Sequence, residues 1–188
     1  MNQDKTFRKG LLILTAMAML AAVQNLPAQD KPATPSPTAA EPASTDVNAR
    51  AAVNFNDVAD KALQAMKRRA EELHIKGVAV VACSEGDTVQ SWSSKMVVVG
   101  HLSSPPSKND PNGANLLGIA YTKAAEMADT LKDSGSHVRP PKTGEYGWQG
   151  GVVTRGKTGV LIAAFSGGPS EDDVKVSKAG LEILASQL

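Results

Sequence analysis

Cysteine is almost absent from this sequence, and neither sign of charge dominates it. Cys83 is the only cysteine, so the chain can form no internal disulfide and no cysteine-based zinc site. The 20 Lys and Arg residues are balanced by 19 Asp and Glu residues. Such a balance gives no long-range field that would attract nucleic acid or an anionic membrane, so neither is expected as a partner.

Common catalytic motifs are also missing. The sequence has no Gly-x-Ser-x-Gly elbow, no His-Glu-x-x-His pair and no cysteine pair. The glycines of "GEYGWQGG" have three-residue spacing, but they precede a predicted hairpin rather than a helix, which excludes a dinucleotide-binding fingerprint. These absences favour a binding protein over an enzyme, and no catalytic residue is assigned.

The N-terminus has the pattern of an export signal. Three basic residues among the first nine precede an apolar run from Gly10 to Val23, and Ala28 offers a small residue at a cleavage point. The run is short for a membrane-spanning helix, so residues 1–28 are predicted to be a cleaved signal peptide, with an uncleaved anchor as the alternative. The protein is therefore expected in the periplasm or outside the cell.

Two further segments follow the signal. Residues 29–50 are rich in Pro, Ala, Ser and Thr, a composition that predicts a disordered linker. Residues 51–188 are predicted to be the folded domain, which is long enough for one hydrophobic core.

Hydrophobic periodicity in the domain predicts both helices and strands. Apolar residues at helical spacing predict three helices, over Phe55–Leu73, Leu116–Leu131 and Ser170–Leu188. Gly77 is expected to end the first. Short β-branched runs predict strands at "GVAVVAC", at "TVQSW" and "KMVVVGHL" (as one strand or two), and on both sides of a hairpin at Arg155-Gly156-Lys157. The predicted order, α-β-β-(β)-α-β-β-α, is an α/β fold with a mostly antiparallel sheet that helices cover.

The segment "FSGGPSEDD" joins the last strand to the last helix. Glycine-rich turns before helices often bind phosphate, but three carboxylates in this first turn would repel an anion. The segment is therefore interpreted as structural. Ser166-Gly167-Gly168 lets the chain turn sharply, Ser170 caps the helix, and Asp173 completes a Ser-x-x-Asp capping box.

The same segment carries a resemblance to a known family. "FSGGPSEDDVKVSKAGL" resembles the C-terminal signature of the GlcG/HbpS-like, or haem-degrading, family, which has Val-Ser-Gly-Gly-Thr and then an acidic helix start. "WQGGVVTRGKTGVLIAAFSGG" is similar to the family's paired-glycine hairpin, with Gly150 and Gly151 as the pair. "AYTKAAEMA" is similar to its Ala-x-x-Lys-Ala motif, with the lysine at Lys123. The resemblance spans about Phe55 to Leu184.

The resemblance implies a profilin-like α-β-α sandwich in which helices flank a mostly antiparallel sheet. It also implies homo-oligomers, haem or a related tetrapyrrole as ligand, and corrinoid or glycolate contexts in some members. This chain departs from the family at Lys95-Met96-Val97-Val98, where Arg-Met-Asp-Gly is usual, and at Thr122, where aspartate is usual. A ligand-binding geometry carried over from the family is therefore not expected to hold unchanged in this chain.

Haem iron needs an axial donor, and the macrocycle needs an apolar slot. His101 and His74 are the candidate axial ligands; the alternatives are a strand-end surface residue for His101 and an interaction with the helix C-terminus for His74. His137 lies in a polar loop and is expected to be solvated. Tyr146 and Trp148 are expected to stack on a flat ligand or to lie at a subunit interface, and the sequence does not choose between these roles.

Three cations, Lys95, Lys123 and Arg155, are candidates to pair with haem propionates, with solvated charges as the alternative. Two functions follow from these residues. The first is an exported haem- or tetrapyrrole-binding protein that promotes haem breakdown or senses haem. The second is a structural or sensory interaction module that kept the fold and lost the ligand.

Overall fold

The computed structural model describes residues 54–108 and 110–188. The predicted signal peptide, the predicted linker and the first three residues of the predicted domain lie outside the described residues and stay predictions. Within the described ranges, every helix is too short or too polar to span a bilayer.

In the described chain, the three helices and the four strands of the main sheet follow one another in the predicted order, and two short strands that were not predicted precede the second helix. The three helices are α1 (Phe55–Glu72), α2 (Leu116–Thr130) and α3 (Ser170–Gln187). The strands are β1 (Gly77–Glu85), β2 (Ser93–Val99), β3 (Ser103–Ser104), β4 (Ala114–Asn115), β5 (Gly151–Arg155) and β6 (Gly159–Ser166). The prediction of an α/β fold with three helices and a mostly antiparallel sheet is confirmed.

The main sheet has the strand order β2-β1-β6-β5, and each neighbouring pair is antiparallel. The two central strands, β1 and β6, are buried along almost their whole length. Strands that are apolar on both faces need cover on both faces, and the helices supply it. The short strands β3 and β4 pair with each other in a separate two-stranded ribbon.

Alternate residues of the central strands pack against different helices. Ala79 and Val81 of β1 belong to the core cluster that contains residues of α1 and α3. Val78 and Val80 belong to a cluster that contains Leu116 and Ala120 of α2. Because side chains alternate across a strand, α1 and α3 lie on one face of the sheet and α2 on the other, so the chain forms an α-β-α sandwich.

The first helix ends earlier than predicted. Leu73 is its C-cap, and His74 takes the left-handed conformation with φ 56°. The N–H of Ile75 then donates to the carbonyl of Ala70, which closes the helix in the manner of a Schellman motif. Gly77 lies inside β1, where any side chain would collide with the Ser166 carbonyl of β6.

The prediction of a strand at "TVQSW" is wrong. Residues 88–92 form bends and irregular backbone, and β2 begins only at Ser93. Trp92 packs instead against the α2 side of the sheet, with its ring centroid 6.5 Å from that of Tyr121. Burial of one large ring explains an apolar residue here without a strand.

Candidate functional site

Residues from all three family-like motifs meet in one buried cluster. Lys123 of α2 places its Nζ 2.8 Å from Asp173 Oδ2 of α3 and donates to the Phe165 carbonyl of β6, also at 2.8 Å. The side chains of Lys123 and Asp173 are only 3% and 4% exposed. We call this group, with Gly150 and Ser177, the ionic cluster.

Gly150 is the point at which the ionic cluster meets β5. Its φ of 133° is left-handed, and a side chain at this position would collide with Lys123 Nζ. The Gly150 carbonyl accepts hydrogen bonds from the Ser177 hydroxyl at 2.6 Å and from the Phe165 N–H at 3.0 Å. Glycine is therefore required here by close approach as well as by backbone conformation.

The start of α3 differs from the predicted capping box. The N-cap is Pro169, and no side chain makes a cap hydrogen bond, so the prediction that Ser170 caps the helix is wrong. Ser170 is already the first helical residue. Asp173 instead reaches back, and its Oδ1 accepts from the Gly168 N–H at 2.9 Å. Proline fits the cap position because it loses no hydrogen bond there.

Burial acts on both partners of the ion pair. Removal from water raises the pKa of the Asp173 carboxyl, and the nearby Lys123 ammonium opposes this rise. Removal from water likewise lowers the pKa of Lys123, and Asp173 opposes the fall. Because both side chains are buried and hydrogen-bonded to each other, Lys123 is not exposed for the predicted contact with a propionate. The ionic cluster links α2, α3 and the end of β6 in the interior.

A groove that contains His74 lies outside the three family-like motifs. It has a volume of about 380 Å³ and lies between the end of α1 and the end of β2. Its walls are Glu71, His74, Ile75, Lys76, Val99 and Gly100. We call it the His74 groove. It offers an apolar surface from Ile75 and Val99 and an imidazole at the same place.

The three histidines differ in their surroundings. His74 is exposed beside the groove, and His101 is half-buried directly after Gly100 of the groove wall. His137 is exposed, takes a left-handed φ of 54°, and does not line the groove. His74, one of the two predicted axial donors, therefore lies at an apolar wall. His101, the other predicted donor, follows the last wall residue directly in the chain.

Tyr146 and Trp148 stack on each other and face solvent. Their ring centroids are 4.6 Å apart at an angle of 28°, and the residues are 52% and 50% exposed. Arg139 braces this loop through two hydrogen bonds to Glu145, at 2.7 and 2.8 Å. We call residues 139–149 the aromatic loop. The sequence pattern did not identify its Arg139–Glu145 brace, because neither residue belongs to a recognisable motif.

The other two candidate cations are paired with carboxylates at the surface. Lys95 of β2 lies 2.6 Å from Asp60 of α1. Arg155 lies 3.1 Å from Asp87. Exposed pairs of this kind contribute little to stability, about 0–1 kcal/mol, so both side chains can exchange partners.

Among the described residues, no three His, Cys, Asp or Glu side chains are grouped so that they could hold a metal ion. No family model and no curated protein matches the chain. Among solved structures, the chain is similar to the crystal structure of a PduOC:heme complex, with 16% sequence identity, coverage of 70% of this chain and 94% of that chain, and a TM-score of 0.48. The function of this chain therefore rests on its own residues.

Proposed function

We propose that the protein binds haem or a related tetrapyrrole in the His74 groove. The observation that carries this proposal is the placement of an exposed imidazole, that of His74, beside the apolar side chains of Ile75 and Val99. A haem site needs this combination of an axial nitrogen donor and an apolar wall. The resemblance of the sequence to the haem-degrading family adds support.

Each residue of the groove has a distinct part in this proposal. His74 or, as the second candidate, His101 supplies the nitrogen that binds iron. Ile75 and Val99 contact one edge of the macrocycle. Lys76 lines the same groove and supplies a positive charge for a propionate, a role for which the buried Lys123 is not available. When bound, haem supplies redox-active iron, so haem breakdown would be a property of the ligand.

Haemin titration of the full chain tests this proposal. We expect a saturable Soret shift that His74→Ala or His101→Ala removes, because loss of the axial nitrogen removes the iron–protein bond. His137→Ala is the matched control, since His137 is an exposed histidine outside the groove. A full shift in both the His74 and the His101 variants would refute histidine ligation. A weak change without saturation in the unmodified chain would refute specific haem binding.

The second candidate function, an interaction module, is favoured by the aromatic loop. Stacked, half-exposed Tyr and Trp rings on a braced loop are typical of interface residues. In this reading, Tyr146 and Trp148 contact a second copy of the chain. Light scattering would then give a lower mass for the Tyr146→Ala/Trp148→Ala variant than for Leu102→Ala, which removes an equally exposed apolar side chain elsewhere. Equal masses would contradict this role.

We also propose that the protein is exported and that residues 29–50 act as a tether. The support is the sequence pattern of the first 28 residues. N-terminal sequencing of the mature protein tests the proposal, and a mature chain that still begins at Met1 in the cytoplasm would refute it.

A further inference from the structure

A second cavity, of about 440 Å³, lies at the end of β1 opposite the His74 groove. Cys83, Ser84 and Glu85 form its wall from the last residues of β1. The six residues Gly77–Ala82 of β1 separate the two sites, which corresponds to roughly 20 Å at the usual rise per residue. The cavity is therefore independent of the proposed haem site, and its volume is within the range of small-molecule sites.

Among the described residues, the lining of this cavity has negative charge and no cation. Glu85 contributes a carboxylate, and no Lys, Arg or His of residues 54–108 and 110–188 lines the space. Lys95 and Arg155 of the adjoining strands lie outside this lining, in surface pairs with Asp60 and Asp87. An anionic ligand would thus meet an unbalanced like charge, whereas a cationic ligand would find a partner.

Hydroxyl groups also line the cavity. Ser91, Ser93 and Thr158 contribute three of them. All three residues are exposed, so their hydroxyls are open to a ligand.

The remaining wall is mainly apolar. Phe55, Leu161 and Leu188, which pack on the α1 and α3 side of the sheet, line one part of the cavity. Trp92 borders another part, although its ring packs towards Tyr121 on the α2 side. The lining therefore combines a carboxylate, hydroxyl groups and a hydrocarbon surface.

We propose that this cavity binds a small organic cation, an alkylammonium compound. Its ammonium group would pair with Glu85 and donate hydrogen bonds to the hydroxyls, while its alkyl part would contact Phe55 and Leu161. The cavity would bind this cation without any covalent step. Burial, together with the charge of Glu85, raises the pKa of the Cys83 thiol, so this side chain is mostly protonated near neutral pH and reacts slowly.

Fluorescence of the full chain carrying Trp148→Phe tests the proposal, because Trp92 is then the only tryptophan. The probes are n-butylammonium, neutral 1-pentanol and anionic pentanoate, which have similar size and different charge. We expect saturable change with n-butylammonium and none with pentanoate. Adding Glu85→Gln should weaken n-butylammonium binding about fivefold, as loss of a partly exposed ion pair does, while Glu182→Gln, an exposed carboxylate on α3 outside the cavity, should leave it unchanged.

Two results would overturn the proposal. One is pentanoate or 1-pentanol binding as tightly as n-butylammonium, since the site would then not select positive charge. The other is equal affinity in the Glu85 and Glu182 variants. A second measurement needs no variant: n-butylammonium should slow alkylation of Cys83 by N-ethylmaleimide in the unmodified chain, and an unchanged alkylation rate at saturating n-butylammonium would also refute the site. Neither experiment involves haem, so a negative result in either would refute the cation site without refuting the proposed haem site.

Discussion

The Lys123 ammonium group lies 2.8 Å from the Asp173 carboxylate although 50 residues separate the two in the chain. Lys123 belongs to α2 and Asp173 to α3, which lie on opposite faces of the sheet. The pair therefore joins the two helical layers around the end of β6. Its burial makes it sensitive to the loss of either partner.

Loss of one member of this pair is expected to destabilise the fold strongly. Lys123→Met leaves the Asp173 carboxylate buried without its partner, and Asp173→Leu leaves the Lys123 ammonium in the same state. Each change should lower the free energy of unfolding by about 3–5 kcal/mol, measured by urea denaturation. The double variant should lose less than the sum of the single losses, because it leaves no unpaired charge. Additive losses would contradict a direct coupling.

Gly150→Ala is expected to destabilise the fold more than Gly144→Ala. Both glycines have positive φ, 133° and 92°, but a side chain at Gly150 would strike Lys123 and approach the Phe165 carbonyl to 3.0 Å, whereas nothing lies within 4 Å at Gly144. The Gly144 variant should therefore show backbone strain alone, about 1 kcal/mol. Urea denaturation of both variants gives the difference, and equal losses would show that the ionic cluster can move aside.

Acid is expected to release the aromatic loop. The hydrogen bonds from Arg139 lower the pKa of Glu145 from 4.5 to about 2. A carboxyl whose pKa is lower in the folded state than in the unfolded state stabilises the fold. This stabilisation is fully present above the unfolded-state pKa and is lost as the pH falls through the folded-state pKa. Emission of Trp148 in a Trp92→Phe chain should thus change with a midpoint near pH 2.

Glu145→Gln is the control for this acid transition. It removes the titrating group and should abolish the step, while far-UV circular dichroism reports whether the whole domain unfolds in the same range. A midpoint near the ordinary value of 4.5 would mean that Arg139 does not hold Glu145 in solution.

The reactivity of Cys83 should depend on Glu85. Two causes raise the pKa of this thiol above 9.0: burial, which is the larger, and the charge of Glu85. Only the thiolate reacts with maleimide, so Glu85→Gln should move the inflection of the alkylation rate to lower pH. Glu182→Gln should not move it. Equal inflections in the two variants would show that the Glu85 charge does not reach the sulphur.

The helices were predictable because their apolar spacing is regular over several turns. Predicted ends at Leu73, Leu131 and Leu188 each lie one residue beyond the observed ends. Local pattern failed where tertiary contact decides the structure. The short run "TVQSW" predicts a strand, yet the backbone there is irregular and Trp92 packs towards Tyr121 on the α2 side of the sheet.

The sites were less predictable than the fold. Lys123 and Asp173 were both recognised within motifs, but the sequence does not show that two motifs 50 residues apart meet, so Lys123 was assigned to a propionate. Ser170 fitted the cap rule, and only the backbone shows that Pro169 holds the cap position. The cavity at Glu85 has no motif at all, because its walls come from separate loops and strands.

The antiparallel pairing of β1 with β6 has a consequence for how the chain reaches its fold. These central strands are about 80 residues apart in the chain, and the helices that cover one face, α1 and α3, are about 100 residues apart. The first half of the described domain therefore cannot complete a core alone. During synthesis β1 must wait until β6, which is made about 80 residues later, has left the ribosome, so its apolar surface stays open to chaperones over that interval.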